Sequence, residues 1–439
     1  MTSIAFTTLF LGLVMSVQTL GVNVDGPVGA VEYVLDGKPI GRSSSRPWSA
    51  RIDLGSDLSP HELVARALNR EGREIARTRQ WLNLPRPRAE TAIVLERDAR
   101  GRAIAARLST QSLFGSRPNS VSVTFDGRPI TPGEGGRIVL PDYEPGRTHL
   151  LSAELEFAEG ARSRADVVLG GDTGEEAKSE LTALPVKVRN RGDLPNLREL
   201  QSCLQENGRP LTVVAVEDGP AQVIVVRDRG NREIREVLGG GARFFLPGES
   251  ERFFGDIRLD GKDRLRFVWP VAQRFADPVL ASDLFGSTTD YTMSSGSFHW
   301  LLTRAYMPHG GESAQRYTDA AAVAGLEAFA SSTRRAVVVV LGSGADSSRL
   351  SPEQVRSYFE RLRVPLFVWS LVETSTRPEL AKWGPVVEID SAQQLRKAVR
   401  DLKRNLESQH ILWIDGKHLP QQISLTEKAA AFLELAGSR

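Results

Sequence analysis

Four valines run into a Gly/Ser turn that ends in a single acid in VVVVLGSGADSS, residues 337–348. Ser343 and Asp346 in that turn carry the oxygens that a hard cation takes, and a Gly/Ser turn after a strand can also cradle a phosphate. The plainer alternative is that the turn only ends a buried strand. A Ser, His and Asp set can be drawn from Ser343, His309 and Asp228, with His299 as the other histidine expected in a loop over the sheet. Nothing in the sequence joins those residues, and no G-x-S-x-G nucleophile elbow occurs. The GGG at Gly239–Gly241 is not followed by the Lys-Ser/Thr of a phosphate loop and reads as a flexible turn. Cys203 is the single cysteine, which excludes an internal disulfide and a Cys-rich zinc cluster. Helical spacing from Leu197, Leu200 and Leu204 makes it a core thiol.

The elements that would position such residues can be read from the apolar pattern. LTVVAVE, AQVIVVRD, RLRFVW, AVVVVL, PLFVWSL, PVVEI and HILWI are strand-like runs. SPEQVRSYFERLR opens a helix with Ser351 as N-cap, Pro352 in the first turn and Gln354 completing a capping box. SAQQLRKAVRDLKRNL repeats this with Ser391 and Gln394 and buries Leu395, Ala398, Val399 and Leu402 on one face. Apolar strands alternating with helices predict a doubly wound parallel sheet from about Leu184 to the C-terminus. Its ligand site would lie beyond the carboxyl ends of the strands.

A chain of 439 residues holds several domains, and 41% hydrophobic with 25% charged residues is an ordinary globular composition. Lys and Arg number 56 against 54 acids, a net charge of +2, which gives no global field to hold nucleic acid. The apolar run Ile4–Val17 is too short to span a bilayer comfortably and suits a signal-peptide core, although no Lys or Arg precedes it and no A-x-A site follows. A first β-strand is the alternative. The mature chain is thus expected to carry no transmembrane helix.

Two segments repeat one another. VEYVLDGKPI, RIDL, HELVARAL and EG recur as VSVTFDGRPI, RIVL, HLLSAELEF and EG, matching Asp36 with Asp126, Arg51 with Arg137 and His61 with His149. The Asp-Gly pairs predict tight hairpin turns, and the paired histidines a shared structural role. Each copy resembles the Ig-like modules, of fibronectin type III or bacterial Ig-like kind, found in secreted bacterial proteins. That resemblance implies a spacer or adhesive module.

The second half resembles a von Willebrand factor type A (vWA) domain in a divergent form. VIVVRD ends in Asp228 where that family's first metal motif begins, SAQRYTDAAAVAGLEAFA resembles the helix of its threonine loop, and RRAVVVVLGSGADSS resembles the strand and loop of its last aspartate. The resemblance implies a Mg²⁺ site built from Asp-x-Ser-x-Ser, a threonine and an aspartate. Here the two serine positions hold Gly230 and Arg232, the threonine position falls on Gln315 with Thr318 and Ser313 close by, and the aspartate position falls on Ser343 with Asp346 beyond it. Arg229 and Arg232 add positive charge beside the vacancy, which repels a cation. The expectation is a degenerate site with no metal and no cofactor; if a cation were kept, Asp228, Ser343 and Asp346 would hold it.

The sequence therefore predicts a signal peptide over 1–21, Ig-like β-sandwiches over 22–86 and 87–170, a linker over 171–183 and an α/β doubly wound (Rossmann-like) vWA domain over 184–439. The expected function is non-catalytic binding of a protein partner, or scaffolding, in the secreted or periplasmic space. Asp228, Gly230, Arg232, Gln315, Thr318, Ser343 and Asp346 form the expected binding rim. The alternatives are an envelope hydrolase in the same crevice and a metal-dependent adhesion module. The aromatic segment Phe275–Trp300 reads as a recognition loop or as a hairpin packed on the domain.

Overall fold

The computed structural model describes residues 3–437 except 9, 11–12, 86–88, 99, 101, 113–116, 134–135, 145, 158–161, 171–180, 190–193, 229–231, 239–258, 274–283, 293–297 and 306–313. The first sandwich contains β1 (Ser3–Phe6), β2 (Val17–Asp25), β3 (Ala30–Leu35), β4 (Lys38–Ser43), β5 (Ser49–Asp53), β6 (His61–Leu68) and β7 (Glu74–Leu82). The second contains β8 (Ala89–Arg97), β9 (Ala103–Ser112), β10 (Ser120–Phe125), β11 (Arg128–Ile130), β12 (Arg137–Val139), β13 (His149–Glu156) and β14 (Arg162–Leu169). Sheets β1-β2-β5 and β4-β3-β6-β7 in the first copy correspond to β8-β9-β12 and β11-β10-β13-β14 in the second.

The duplication read from the sequence is thus a duplication of topology. In each copy the alternating residues of both sheets meet in one core, around Leu20, Val31, Tyr33 and Leu63 in the first and Phe125, Ile138 and Leu151 in the second. The two sandwiches are Ig-like β-domains. Residues on both sides of the expected leader boundary share one sheet, since Ser3–Phe6 pair with Val22–Asp25 and Leu20 is fully buried.

The Asp-Gly turns have the geometry their composition predicts. Asp36 and Asp126 take φ of 48° and 50°, followed by Gly37 at 79° and Gly127 at 74°. Positive φ at both central positions makes the turn twist with its flanking strands. Each aspartate is also tied to the matched histidine. Asp36 Oδ2 lies 2.7 Å from His61 Nδ1 while its Oδ1 accepts from Glu62 N. Asp126 makes the same pair of contacts with His149 Nδ1 and Leu150 N.

The second half begins with β15 (Leu181–Val188), α1 (Leu197–Leu200), β16 (Leu204–Glu206), β17 (Arg209–Leu211), β18 (Val213–Glu217), β19 (Ala221–Arg227), α2 (Arg232–Leu238) and β20 (Arg264–Gln273). It continues through β21 (Leu284–Ser287), β22 (Tyr291–Thr292), α3 (Phe298–Arg304), α4 (Tyr317–Ala330), β23 (Arg334–Leu341), α5 (Pro352–Leu362) and β24 (Leu366–Ser370). It closes with β25 (Val386–Glu388), α6 (Ala392–Glu407), β26 (Gln409–Asp415), β27 (Ile423–Leu425) and β28 (Leu433–Leu435).

The expected doubly wound domain from Leu184 to the C-terminus is corrected by this arrangement. The described residues are mostly β, with 45% strand and 22% helix, and most of their sheets are small and antiparallel. In the second half, β18-β26-β15-β28 form one antiparallel sheet and β17-β16-β27 another. Parallel pairing is confined to β20-β19-β23-β24-β25 of a mixed sheet, to which β21 and β22 add antiparallel to β20.

The physical reason lies in β15, β18 and β26. Leu184, Val186, Val213, Leu412 and Ile414 face an inner core, while Ala183, Ala215, Ile411 and Trp413 face Leu150 and Val168 of the second sandwich. Antiparallel strands covered on both faces lose their polar alternation and imitate the strands of a parallel sheet. Cys203 is buried as expected, though α1 ends at Leu200 and Leu204 already opens β16.

Both sandwiches dock on this half. Leu58, 1% exposed, joins the core beneath α5 with Val355 and Tyr358. Tyr358 Oη donates to Asn83 O at 2.7 Å, and Arg361 donates to Leu58 O, Ser59 Oγ and Asp57. The second sandwich contributes Arg164, whose Nη2 donates to Glu217 at 2.7 Å and whose guanidinium lies 4.8 Å over the Trp413 ring.

Candidate functional site

In the mixed sheet the chain passes from β19 to β20 on one side and then crosses to β23 on the other, so the strand order reverses between β19 and β23. A crevice opens at the carboxyl ends of strands at such a reversal. Arg227, Asp228, Glu233, Ile234, Val340, Gly342 and Leu371 surround it here, and its cavity is only about 10 Å³, room for about one water molecule.

Glu233, in the first turn of α2, fills the opening. Its Oε1 accepts from Ser343 N at 2.7 Å. A Cβ on Gly342 would lie 2.2 Å from Glu233 Oε2, so any side chain there would push that carboxylate away from the end of β23. Gly342 O in turn accepts from Arg377 Nη1. Below them Arg227 is 1% exposed, with Phe267 at 5.5 Å and Trp269 at 5.1 Å from its guanidinium. Burial lowers its pKa to about 10, while the ring faces and the Asp228 carbonyl, 2.9 Å from Nη1, offset part of the desolvation.

The second cluster sits where the β23 loop meets the start of α4. Residues 315 and 346 form an isolated parallel bridge, and Ser347 N donates to Gln315 O. Asp346 Oδ1 accepts from Tyr317 N at 2.9 Å, Ser348 N at 3.1 Å and Ser348 Oγ at 2.6 Å. Its Oδ2 accepts from Thr318 N at 3.2 Å and from Thr318 Oγ1. An ionised carboxylate offers about four lone-pair sites, so these five donors saturate it. Asp346 acts as an N-cap supplied from another segment, placing negative charge at the positive end of α4.

Asp319, 6% exposed, does the converse. It accepts from Arg349 N and Leu350 N and pairs with Arg316, fastening the loop to the helix. Burial, with the carboxylates of Asp228, Glu233 and Asp346, raises the pKa of Tyr317 well above its ordinary value.

The structure therefore brings Gln315, Thr318 and Asp346 together and places Asp228 and Ser343 at the crevice with Glu233. Arg232 begins α2, while Gly230, Ser313 and His309 lie outside the described residues. His299 is 2% exposed in α3, with Nε2 3.2 Å from Leu238 O, and burial lowers its pKa. Of Phe275–Trp300, the described residues are 284–292, which form β21 and β22 and the turn between them beside β20, and the start of α3. Among the described residues no group of three or more His, Cys, Asp or Glu side chains is placed to hold a metal ion. Sequence reasoning missed Glu233 and Arg377; the available signal for Glu233 was an acid in the first turn of a helix just past β19.

No protein-family model matches the chain, and no curated protein matches it. Among solved structures it is similar to the fibronectin(III)-like modules of Clostridium thermocellum CbhA, with 16% identity over 38% of this chain and 94% of that one and a TM-score of 0.16. A β-glycosidase from Bacteroides vulgatus matches at 11% identity, covering 38% of this chain and 24% of that one, with a TM-score of 0.21. The central fibronectin-III array of RIM-binding protein matches at 12% identity over 40% and 72% of the two chains, with a TM-score of 0.20. At these scores the likenesses assign no activity. Among the described residues no helix is long and apolar enough to cross a membrane.

Proposed function

We propose that the chain is a non-catalytic recognition or scaffolding protein of the bacterial cell envelope, secreted or periplasmic, which presents the loops at the carboxyl ends of β19 and β23 to a protein partner and binds no nucleic acid. The likeness of loop order to vWA proteins belongs to the same proposal, within the mixed fold described above. The observation that carries it is the saturation of Asp346. The acid best placed to meet a cation or a reacting group is engaged by Tyr317, Thr318 and Ser348 instead. Glu233 closes the neighbouring crevice in the same way, by accepting from Ser343 N. Residues of ligand type are spent on holding loops in place, which favours a rim used as a shaped surface.

The test is photo-crosslinking in intact bacterial cells from a benzophenone side chain at exposed Ser343, with the same group at exposed Lys38 as control. A discrete protein adduct from position 343 alone is the expected result. Adducts of the same kind from both positions, or none from either, would overturn the reading. So would a melting-temperature rise of the full chain on adding Mg²⁺ that Asp228→Ala removes, since only a ligand of the native state stabilises it.

A further inference from the structure

At the opposite, amino end of the parallel strands lies a second buried arginine. Arg335 is 0% exposed in β23, and Gln222, 5% exposed, is its direct partner on β19. Their side chains share a face with Ile224, Val226, Val337 and Val339, because residues two apart on a strand point the same way.

The guanidinium has a partial set of partners. It lies 4.8 Å over the Phe329 ring, and Nη1 donates to Phe329 O at 3.4 Å, near the C-terminus of α4 where the helix dipole favours a cation. Arg335 Nε and Nη2 and Gln222 Nε2 are buried with no hydrogen-bond partner. Burial alone lowers the arginine's pKa, to about 9, with no carboxylate acting against it. A guanidinium nevertheless stays protonated at neutral pH.

These three nitrogens, on residues directly paired across β19 and β23, can only donate, and two of them belong to a delocalised cation, so they are complementary to a guest that only accepts. Arg335 is 0% exposed and Gln222 5%, so such a guest has to be small. Water would satisfy two donors at most and leave the charge uncompensated, whereas an anion answers both needs. We propose that Arg335 and Gln222 form an internal site for a small monovalent anion, of which chloride is the representative, between the start of β23 and the end of α4. The anion completes the core beneath Phe329 and is a structural ion of this half of the chain.

The experiment is thermal unfolding of the full chain at constant ionic strength, with sodium chloride or bromide replaced stepwise by sodium gluconate, whose anion is too large to enter. The expected result is a saturable rise in Tm of about 3 °C or more with either halide. Gln222→Glu supplies a built-in carboxylate beside the guanidinium and is expected to abolish the halide response while keeping Tm in gluconate at or above that of the parent chain. Arg335→Met, which keeps an unbranched apolar stem but removes the charge and the donors, should abolish the response as well. Equal Tm in all three salts, as an interior water would give, overturns the proposal. So does a halide rise that persists unchanged in Gln222→Glu.

Discussion

The two sandwiches share a strand order, a turn type and a histidine–aspartate contact, yet they join the rest of the chain by different chemistry. The first meets α5 with loop residues: Leu58 fills a core position, Tyr358 and Gln354 donate to Asn83 O and Ser56 O, and the ion pair of Arg361 with Asp57 is solvent-exposed on its acidic side. The second meets the antiparallel sheet with a strand face, where Leu150 and Val168 pack on Ile411 and Trp413 around a charged group. There Arg164 pairs with Asp166 at 3.0 Å and Glu217 at 2.7 Å, and Glu217 also accepts from Trp413 Nε1. Burial opposes the charge on Arg164, but the two carboxylates outweigh it and hold the guanidinium's pKa above its ordinary value. The interior of the module was kept through the duplication, while the outer surface diverged to fit two different neighbours.

That comparison can be broken at three levels. The largest effect is expected from a chain that starts at Val22, because it lacks β1 and the fully buried Leu20, the counterparts of β8 and part of β9 in the second copy. Loss of a core leucine together with a strand should lower stability by roughly 4 kcal/mol or more, read by urea unfolding. An unchanged midpoint would show the stretch to be dispensable, as a removable leader would be.

Next come the two interfaces. Arg164→Ala leaves two carboxylates facing each other in a buried place and should lower stability by about 3 to 5 kcal/mol. Tyr358→Phe removes one hydroxyl donor and should lower it by about 1 kcal/mol. Equal losses would mean that the two docking surfaces do not differ in the way their chemistry indicates.

The smallest effect tests what the copies share. Asp36→Ala and Asp126→Ala each remove one histidine contact and one backbone contact, and each should cost about 1 to 2 kcal/mol. The loss at Asp126 should be the smaller, since its side chain is 43% exposed against 27% for Asp36. Calorimetry of both variants would show whether the contact kept its weight in each copy.

Local signals in the sequence carried as far as their physics is local. The Asp-Gly turns, the capping box of Ser351 and Gln354, and the buried face Leu395, Ala398, Val399 and Leu402 of α6 all stand where composition and spacing put them. The architecture of the second half was not legible, because β15, β18 and β26 owe their unbroken apolar character to a neighbour that sequence periodicity cannot represent. At the candidate site, Ser343, Thr318 and Asp346 could be picked out by residue type. That Asp346 caps α4, or that Glu233 reaches Ser343 N, depends on contacts between segments 28 and 110 residues apart.

The antiparallel sheet also sets an order of events during synthesis. β15 is among the first segments of its half to be made, yet its partners are β26 and β28, and the bond from Thr182 Oγ1 to Gly416 O closes a loop of 234 residues. Domains fold as the ribosome delivers them, N-terminal first, and long-range pairing is slow because the loop entropy must be met before the contacts form. The sandwiches can therefore be complete while β15 still waits with an open edge and an uncovered apolar face. In the finished chain Leu150 and Val168 of the second sandwich cover that face, so the cover is made before the strands that complete the sheet.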